Sequence, residues 1–218
     1  MQKNEGFVSD FEVDSQDLHL QSKTRQLRLL EGARISTTAL ALLCGITVLG
    51  VSADTLSVYT TTNLPGDFWL PLWPDEFNLR PTVALVAGSA FVVVSNIVSL
   101  LCSKVRFIRH NTPVHTPVTF AAPLVGLAAA IIAIVFFYAV NASNTVDTLL
   151  SWTCRWTAVS MSQKPHFGTL CRESRAGVIL AILLIPIELA ALVLAGWQMK
   201  VERHTTAYNQ ARKGSPVA

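Results

Sequence analysis

Residues 118–140 read VTFAAPLVGLAAAIIAIVFFYAV, 23 residues without a charged side chain. A helix of this length rises about 34 Å, enough to cross the hydrocarbon core of a bilayer, which is about 30 Å thick. The run does not alternate between polar and apolar residues, as a strand of a membrane barrel would. It therefore predicts a helix that crosses a membrane.

Three further runs have the same character: residues 35–53, 82–102 and 176–197. The four runs together contain a single charged residue, Glu188, although the chain has 17 basic and 14 acidic residues. Only helices satisfy their own backbone hydrogen bonds in lipid without closing a barrel. The sequence predicts an all-α membrane protein, a four-helix transmembrane bundle with two structured outer loops.

These spans divide the chain into three parts. A membrane domain of residues 35–198 contains the outer loops 54–81 and 141–175, and an N-terminal arm of residues 1–34 and a C-terminal tail of residues 199–218 flank it. The arm has only a weak helical pattern of leucines, which favours a juxtamembrane linker.

Composition narrows the class of function. The chain is 51% hydrophobic and 14% charged, whereas soluble domains are about 25% charged. This excludes disorder, nucleic-acid binding and a large soluble catalytic domain. The sequence contains no HExxH, GxSxG, P-loop or dinucleotide-binding glycine motif, and its five histidines are dispersed. We expect no enzyme activity, no cofactor and no metal, with membrane lipids and membrane proteins, including copies of the chain itself, as partners.

Basic residues predict the orientation, because Lys and Arg are retained on the cytosolic side. With both termini inside, twelve Lys and Arg residues face the cytosol and five face the other side. We therefore expect a multi-pass protein of the plasma membrane or an endomembrane, with both termini cytosolic.

The first outer loop combines four prolines with aromatic residues, among them Trp69, Trp73 and Phe77. The prolines make a long helix or a central strand improbable. Trp and Tyr favour the headgroup zone, so we expect the aromatic residues either to lie on the outer leaflet or to form a cap over the helices, together with Trp152 and Trp156 of the second loop. A ligand-binding aromatic surface is the alternative.

Two cysteines lie in the second outer loop. On the oxidising side of a membrane, Cys154 and Cys171 are expected to form a disulfide that contributes about 3 kcal/mol of stability. The alternative, a metal site with His166, lacks the CxxC pair typical of structural zinc. Asn141-Ala-Ser is a possible glycosylation site at the edge of a span.

Glu188 lies near the middle of the fourth span, where a charge costs about 2.5–3.5 kcal/mol. It must therefore face the bundle and be protonated or paired. The second span runs in the same direction and places Asn96 within about a turn of the same depth, with Ser99 on the same face. A hydrogen bond that fixes helix packing is the simpler interpretation, and a proton or cation relay in a transporter or channel subunit is the alternative.

Three segments carry a resemblance to known proteins: LPLWPDEFNLRPT at 70–82, VDTLLSWTCRW at 146–156 and PHFGTLCRESRAG at 165–177. Through them, residues 35–198 resemble uncharacterised four-span integral membrane proteins of filamentous fungi. That set is broadly similar to the MARVEL, claudin and tetraspanin class, although the two loop cysteines lie in the second outer loop. The resemblance implies a structural or interaction protein that organises membrane partners or lipids.

Overall fold

In the computed structural model, which describes residues 5–63, 72–74, 76–104, 112–143, 146–159 and 161–214, helices account for most of the described residues. Helix α1 spans Glu5–Thr62, α2 Arg80–Lys104 and α3 Thr112–Ser143. A short helix α4, Leu149–Arg155, precedes the long α5, Phe167–Gly214. Two strands of two residues each, β1 at Phe77–Asn78 and β2 at Asp147–Thr148, lie in the long connections.

Four helical segments are long and apolar enough to cross a membrane: Arg25–Thr62, Arg80–Ser103, Phe120–Ala142 and Phe167–Val201. Their outward-facing side chains are as apolar as their buried ones. Leu43, Phe91 and Ile132 are each more than 60% exposed. A helix on a water-soluble protein has polar residues on that face, so hydrocarbon is the solvent that suits this surface. The predicted all-α four-helix class is confirmed.

The core of the bundle receives side chains from all four long helices. Val48 of α1, Leu85 of α2, Phe137 of α3 and Val178 of α5 pack into one buried cluster. Helices α2 and α3 approach closely at Gly88, where a Cβ atom would lie 2.5 Å from the Cβ of Ala133. Small residues at such a contact let the two backbones pack together.

Helix α1 is much longer than the predicted span. It begins at Glu5, so the linker expected over the N-terminal arm is wrong: the described part of that arm is helical. The run LHLQSKTRQLRLLEGAR at 18–34 is rich in Leu, Gln, Lys and Arg, which are strong helix formers, and contains no proline. Helix α5 likewise continues beyond the membrane span to Gly214 and tolerates Pro186 in its interior.

The chain divides into two compact units, one of residues 1–36 and 193–218 and the other of residues 37–192. The sites described below lie within the second unit. We call the end of this unit that carries β1, β2 and α4 the loop end.

Candidate functional site

The first candidate site is a buried carboxyl group. Glu188 of α5 is fully buried, and Asn96 of α2 donates from Nδ2 to its Oε1 at 2.6 Å. The structure thus brings together the two residues that the sequence placed at one depth. Ser99 is also buried, one turn further along α2, while the hydroxyl of Ser89 donates to the Leu85 carbonyl in its own helix.

The orientation of the Asn96 amide follows from its second hydrogen bond. Nδ2 also donates to the carbonyl oxygen of Val92 at 3.0 Å. Rotating the amide would place its oxygen against that carbonyl oxygen, so Nδ2 is the atom that faces Glu188. Oε1 of Glu188 is therefore an acceptor, and a proton on a neutral Glu188 belongs to Oε2. Among the residues that the structure describes, Oε2 has no hydrogen-bond partner.

A third helix is shaped around this carboxyl group. A Cβ atom at Gly126 of α3 would lie 2.8 Å from Oε1 and 3.0 Å from Oε2 of Glu188. In the sequence, Gly126 is one of several small residues at spacings of four in the later spans, and nothing in that pattern identifies its neighbour. The three residues Asn96, Gly126 and Glu188 are called the carboxyl triad below.

The second candidate site is at the loop end, where a disulfide joins α4 to α5. Cys154 and Cys171 are bonded, as the sequence predicted. Their sulfur atoms are therefore not free thiolates, which removes the alternative metal site with His166. Within the described residues, no group of three or more His, Cys, Asp or Glu side chains is arranged to hold a metal ion.

Backbone pairing ties the two long connections together. Strands β1 and β2 are parallel, with Phe77 opposite Asp147 and Asn78 opposite Thr148. The side chain of Thr148 then caps α4 in a reciprocal capping box with Ser151. This arrangement fixes where α4 starts, because the cap satisfies backbone donors at its first turn.

An aromatic cluster lies next to these strands, and β1 contributes Phe77 to it. Trp73 is 3% exposed and donates from Nε1 to Thr62 Oγ1 at 3.0 Å. Its ring lies 5.0 Å from that of Tyr59, 5.4 Å from Phe77 and 5.7 Å from Phe167, measured between centroids. Trp73 and Phe77, which the sequence assigned to the outer leaflet or to a cap, thus pack together in this cluster, and the sequence analysis missed Tyr59 and Phe167. Trp69 lies outside the described residues.

Helix α4 is the exposed part of this cap. The rings of Trp152 and Trp156 lie 5.6 Å apart, and Trp156 is 42% exposed. The guanidinium of Arg155 lies 6.0 Å from the ring centre of Trp152 and makes two hydrogen bonds of 3.0 Å to Asp147. The cap therefore presents an arginine and a tryptophan, Arg155 and Trp156, at the C-terminal end of one short, anchored helix.

Asn141 is part of the structure that supports the cap. It lies in α3, half-buried, and its Nδ2 donates to the Phe137 carbonyl at 3.0 Å. Its Oδ1 accepts from the Thr148 hydroxyl at 2.8 Å. Both ends of the amide are thus engaged, whereas a glycosylation acceptor belongs on an accessible surface loop.

No protein-family model, curated protein or solved structure matches this chain.

Proposed function

We propose that this protein is a structural or interaction protein of a membrane, which organises partner proteins through the cap at its loop end. The main support for the proposal is that α4 is held in place by three features: a disulfide, a strand pair and an aromatic cluster. A surface that is already rigid loses little conformational freedom when a partner binds, so more of the contact energy contributes to affinity.

The side chains on α4 support the same conclusion. Tryptophan and arginine are the residue types most enriched at the energetic centres of protein interfaces. Arg155 is the last residue of α4 and Trp156 is its C-cap, and this helix has a capped start and a last turn that is bonded to α5. The exposed part of the cap thus combines recognition residues with a rigid support.

The proposed orientation places both termini in the cytosol and the cap on the opposite side, at the plasma membrane or an endomembrane. The disulfide supports this orientation, because such bonds persist on the oxidising side of secretory membranes. The excess of Lys and Arg assigned to the cytosolic side supports it independently. A role in organising neighbours also agrees with the resemblance to four-span fungal membrane proteins.

Partner organisation is favoured over a transporter or channel subunit. Apolar side chains from all four helices fill the core between the loop end and Glu188. A relay across the membrane needs several ionisable groups in series, and the four predicted spans contain one.

Site-specific photo-crosslinking in living cells tests the proposal. A photoreactive phenylalanine derivative replaces Trp156, and in a matched protein it replaces Ile132, which is 67% exposed on the apolar outer face of α3. We expect position 156 to give a discrete adduct with one membrane protein and position 132 to give lipid adducts. The captured partner is then followed by imaging, and we expect Trp156→Ala to change its distribution in the membrane while Ile132→Ala does not.

Two results would contradict the proposal. Lipid adducts alone at position 156 would assign the cap to the headgroup layer. A partner whose distribution is the same with the parent protein and with Trp156→Ala would show that the contact does not organise it.

A further inference from the structure

The carboxyl triad has an asymmetric environment along the bundle. One turn toward the loop end, each of its helices contributes a buried apolar residue: Val92 on α2, Ala130 on α3 and Leu184 on α5. These three side chains form one cluster, and the larger core cluster that includes Phe137 lies beyond it. Toward the loop end, the carboxyl group is therefore covered by two apolar clusters, and the buried Ser89 hydroxyl on that side donates to the Leu85 carbonyl of its own helix.

The opposite direction is polar. Ser99 is buried one turn beyond Asn96 on α2, and half-buried Ser103 follows one turn later. Gly45 of α1 packs against Val92, and α1 and α2 are antiparallel, so buried Thr38 falls at the level of Ser99. Hydroxyl groups from two helices thus extend from the triad toward the end of the bundle that lacks the disulfide.

The charge environment leaves the carboxyl group without a counter-ion. Among the described residues, no basic side chain forms an ion pair with Glu188. On the helices around it, Asn96 and Gly126 do not titrate, and the other titratable group against the neighbouring apolar layer is the thiol of Cys44 on α1. A buried carboxyl group with one donor and no cation is stable in its protonated form.

We infer that Glu188 is a reversible proton-binding site, which takes a proton on Oε2 and exchanges it with water from the end of the bundle opposite the disulfide, by way of Ser99 and Thr38. The geometry of the triad identifies the atom that carries the proton. Oε1 accepts from Asn96, and Oε2 is left to carry the proton. The proton comes from water and returns to water, with no other bond made or broken. Hydroxyl groups serve such an exchange because each both donates and accepts a hydrogen bond. This inference does not rest on the proposed role in partner organisation.

Infrared spectroscopy of the full-length protein in lipid bilayers tests the first part. A protonated carboxylic acid has a carbonyl band distinct from that of a carboxylate, and the band shifts when the acid proton is replaced by deuterium. At neutral pH, where carboxyl groups in water are ionised, we expect an acid band that is missing in Glu188→Gln and shifts in D₂O. A missing acid band in the parent protein, or a band that never shifts in D₂O, would overturn the inference.

The direction of access is tested by two matched variants. Ser99→Ala with Thr38→Val removes hydroxyls on the proposed path, whereas Ser89→Ala removes a buried hydroxyl from the same helix α2 on the loop-end side. We expect the first variant, which lacks two hydroxyls of the path, to slow the deuterium shift by at least about tenfold, because loss of a single hydrogen-bonded step already has about that effect on a rate. Ser89→Ala should leave the rate unchanged. Ser99→Thr keeps the hydroxyl and should exchange at the rate of the parent protein.

Equal slowing by Ser89→Ala, or an unchanged rate in the Ser99→Ala, Thr38→Val protein, would overturn the assigned direction. Thermal unfolding of each variant identifies any that fail to fold. If the double variant fails, Ser99→Ala alone is compared with Ser99→Thr, and equal exchange rates in these two proteins would overturn the assigned direction.

Discussion

Gly126 and Glu188 are in direct contact across two helices, with the backbone of the glycine against the carboxyl group of the acid. Real Cβ atoms do not approach other atoms as closely as a Cβ at position 126 would approach Oε1, at 2.8 Å. Any side chain on α3 at this position must therefore displace the carboxyl group, which is held from the other side by Asn96 at 2.6 Å. The absence of a side chain at Gly126 is what lets a bulky polar group occupy the middle of the bundle.

Replacing Gly126 with Ala should destabilise the protein. The added methyl group overpacks a buried site, at a cost of about 1–3 kcal/mol. Gly50→Ala is the matched control, because Gly50 is in α1 and a Cβ there meets nothing within 4 Å. Unfolding of the purified protein in mild detergent measures both, and the control should be unchanged or more stable by up to about 1 kcal/mol.

A double-mutant cycle identifies the carboxyl group as the cause. In a Glu188→Ala background the methyl group added at position 126 finds free space, so the cost of Gly126→Ala should largely disappear. If the two substitutions have additive effects, Gly126 is needed for a reason other than its contact with Glu188.

Asn96→Ala should also lower the free energy of unfolding, by about 1–2 kcal/mol. It leaves Oε1 of Glu188 without its donor in an apolar environment, and a buried interhelical hydrogen bond contributes about that much to the free energy of unfolding. Ser95→Ala is the neighbouring control, since the Ser95 hydroxyl donates only to the Val92 carbonyl within α2. Replacing both partners by apolar residues, Asn96→Leu with Glu188→Met, should recover most of the loss, because no buried polar group is then left unpaired. A double variant less stable than Asn96→Ala alone would be inconsistent with this explanation.

The pairing of Asn96 with Glu188 was predictable from the sequence because the cost of a polar group in lipid directs both side chains into the bundle, and their depths then agree. The two spans run in the same direction, and counting residues at a fixed rise places both side chains at one level. The contact with Gly126 depends instead on the rotation of α3 about its axis. Small residues at spacings of four occur in each later span, so the sequence does not identify which of them faces the acid.

The cap was partly predictable for a related reason. Prolines and aromatic residues identified the loop as apolar, but its limits were set by the first charged residue, Asp54, which ended the hydrophobic run. Helix α1 instead continues to Thr62, because nothing before Pro65 breaks it. Tyr59 was therefore assigned to the loop, although it lies in the last turns of a helix and stacks on Phe77 at 4.9 Å.

Removing the disulfide should loosen the cap. Cys154→Ser with Cys171→Ser frees the segment between α4 and α5, and we expect a loss of about 3 kcal/mol in the free energy of unfolding. Proteinase K should cleave between residues 157 and 166 faster than in the parent protein. Cys102→Ala is the control, because this cysteine is free in α2. Unchanged cleavage in the double variant would show that the strand pair and the aromatic cluster suffice to hold α4.

Asn141 should carry no glycan, although it heads the sequence Asn-Ala-Ser. Its amide nitrogen is bonded to the Phe137 carbonyl and its oxygen to the Thr148 hydroxyl, so modification would break two hydrogen bonds at the base of the cap. Two variants separate the sequon from the structure. Ser143→Ala abolishes the sequon and should change neither electrophoretic mobility nor stability, whereas Asn141→Ala should cost about 1–2 kcal/mol by releasing the Thr148 side chain. The opposite result would be a mobility shift of the parent protein on treatment with a glycosidase that is lost in Ser143→Ala. It would show that the glycan is attached before the Asn141 amide forms these hydrogen bonds.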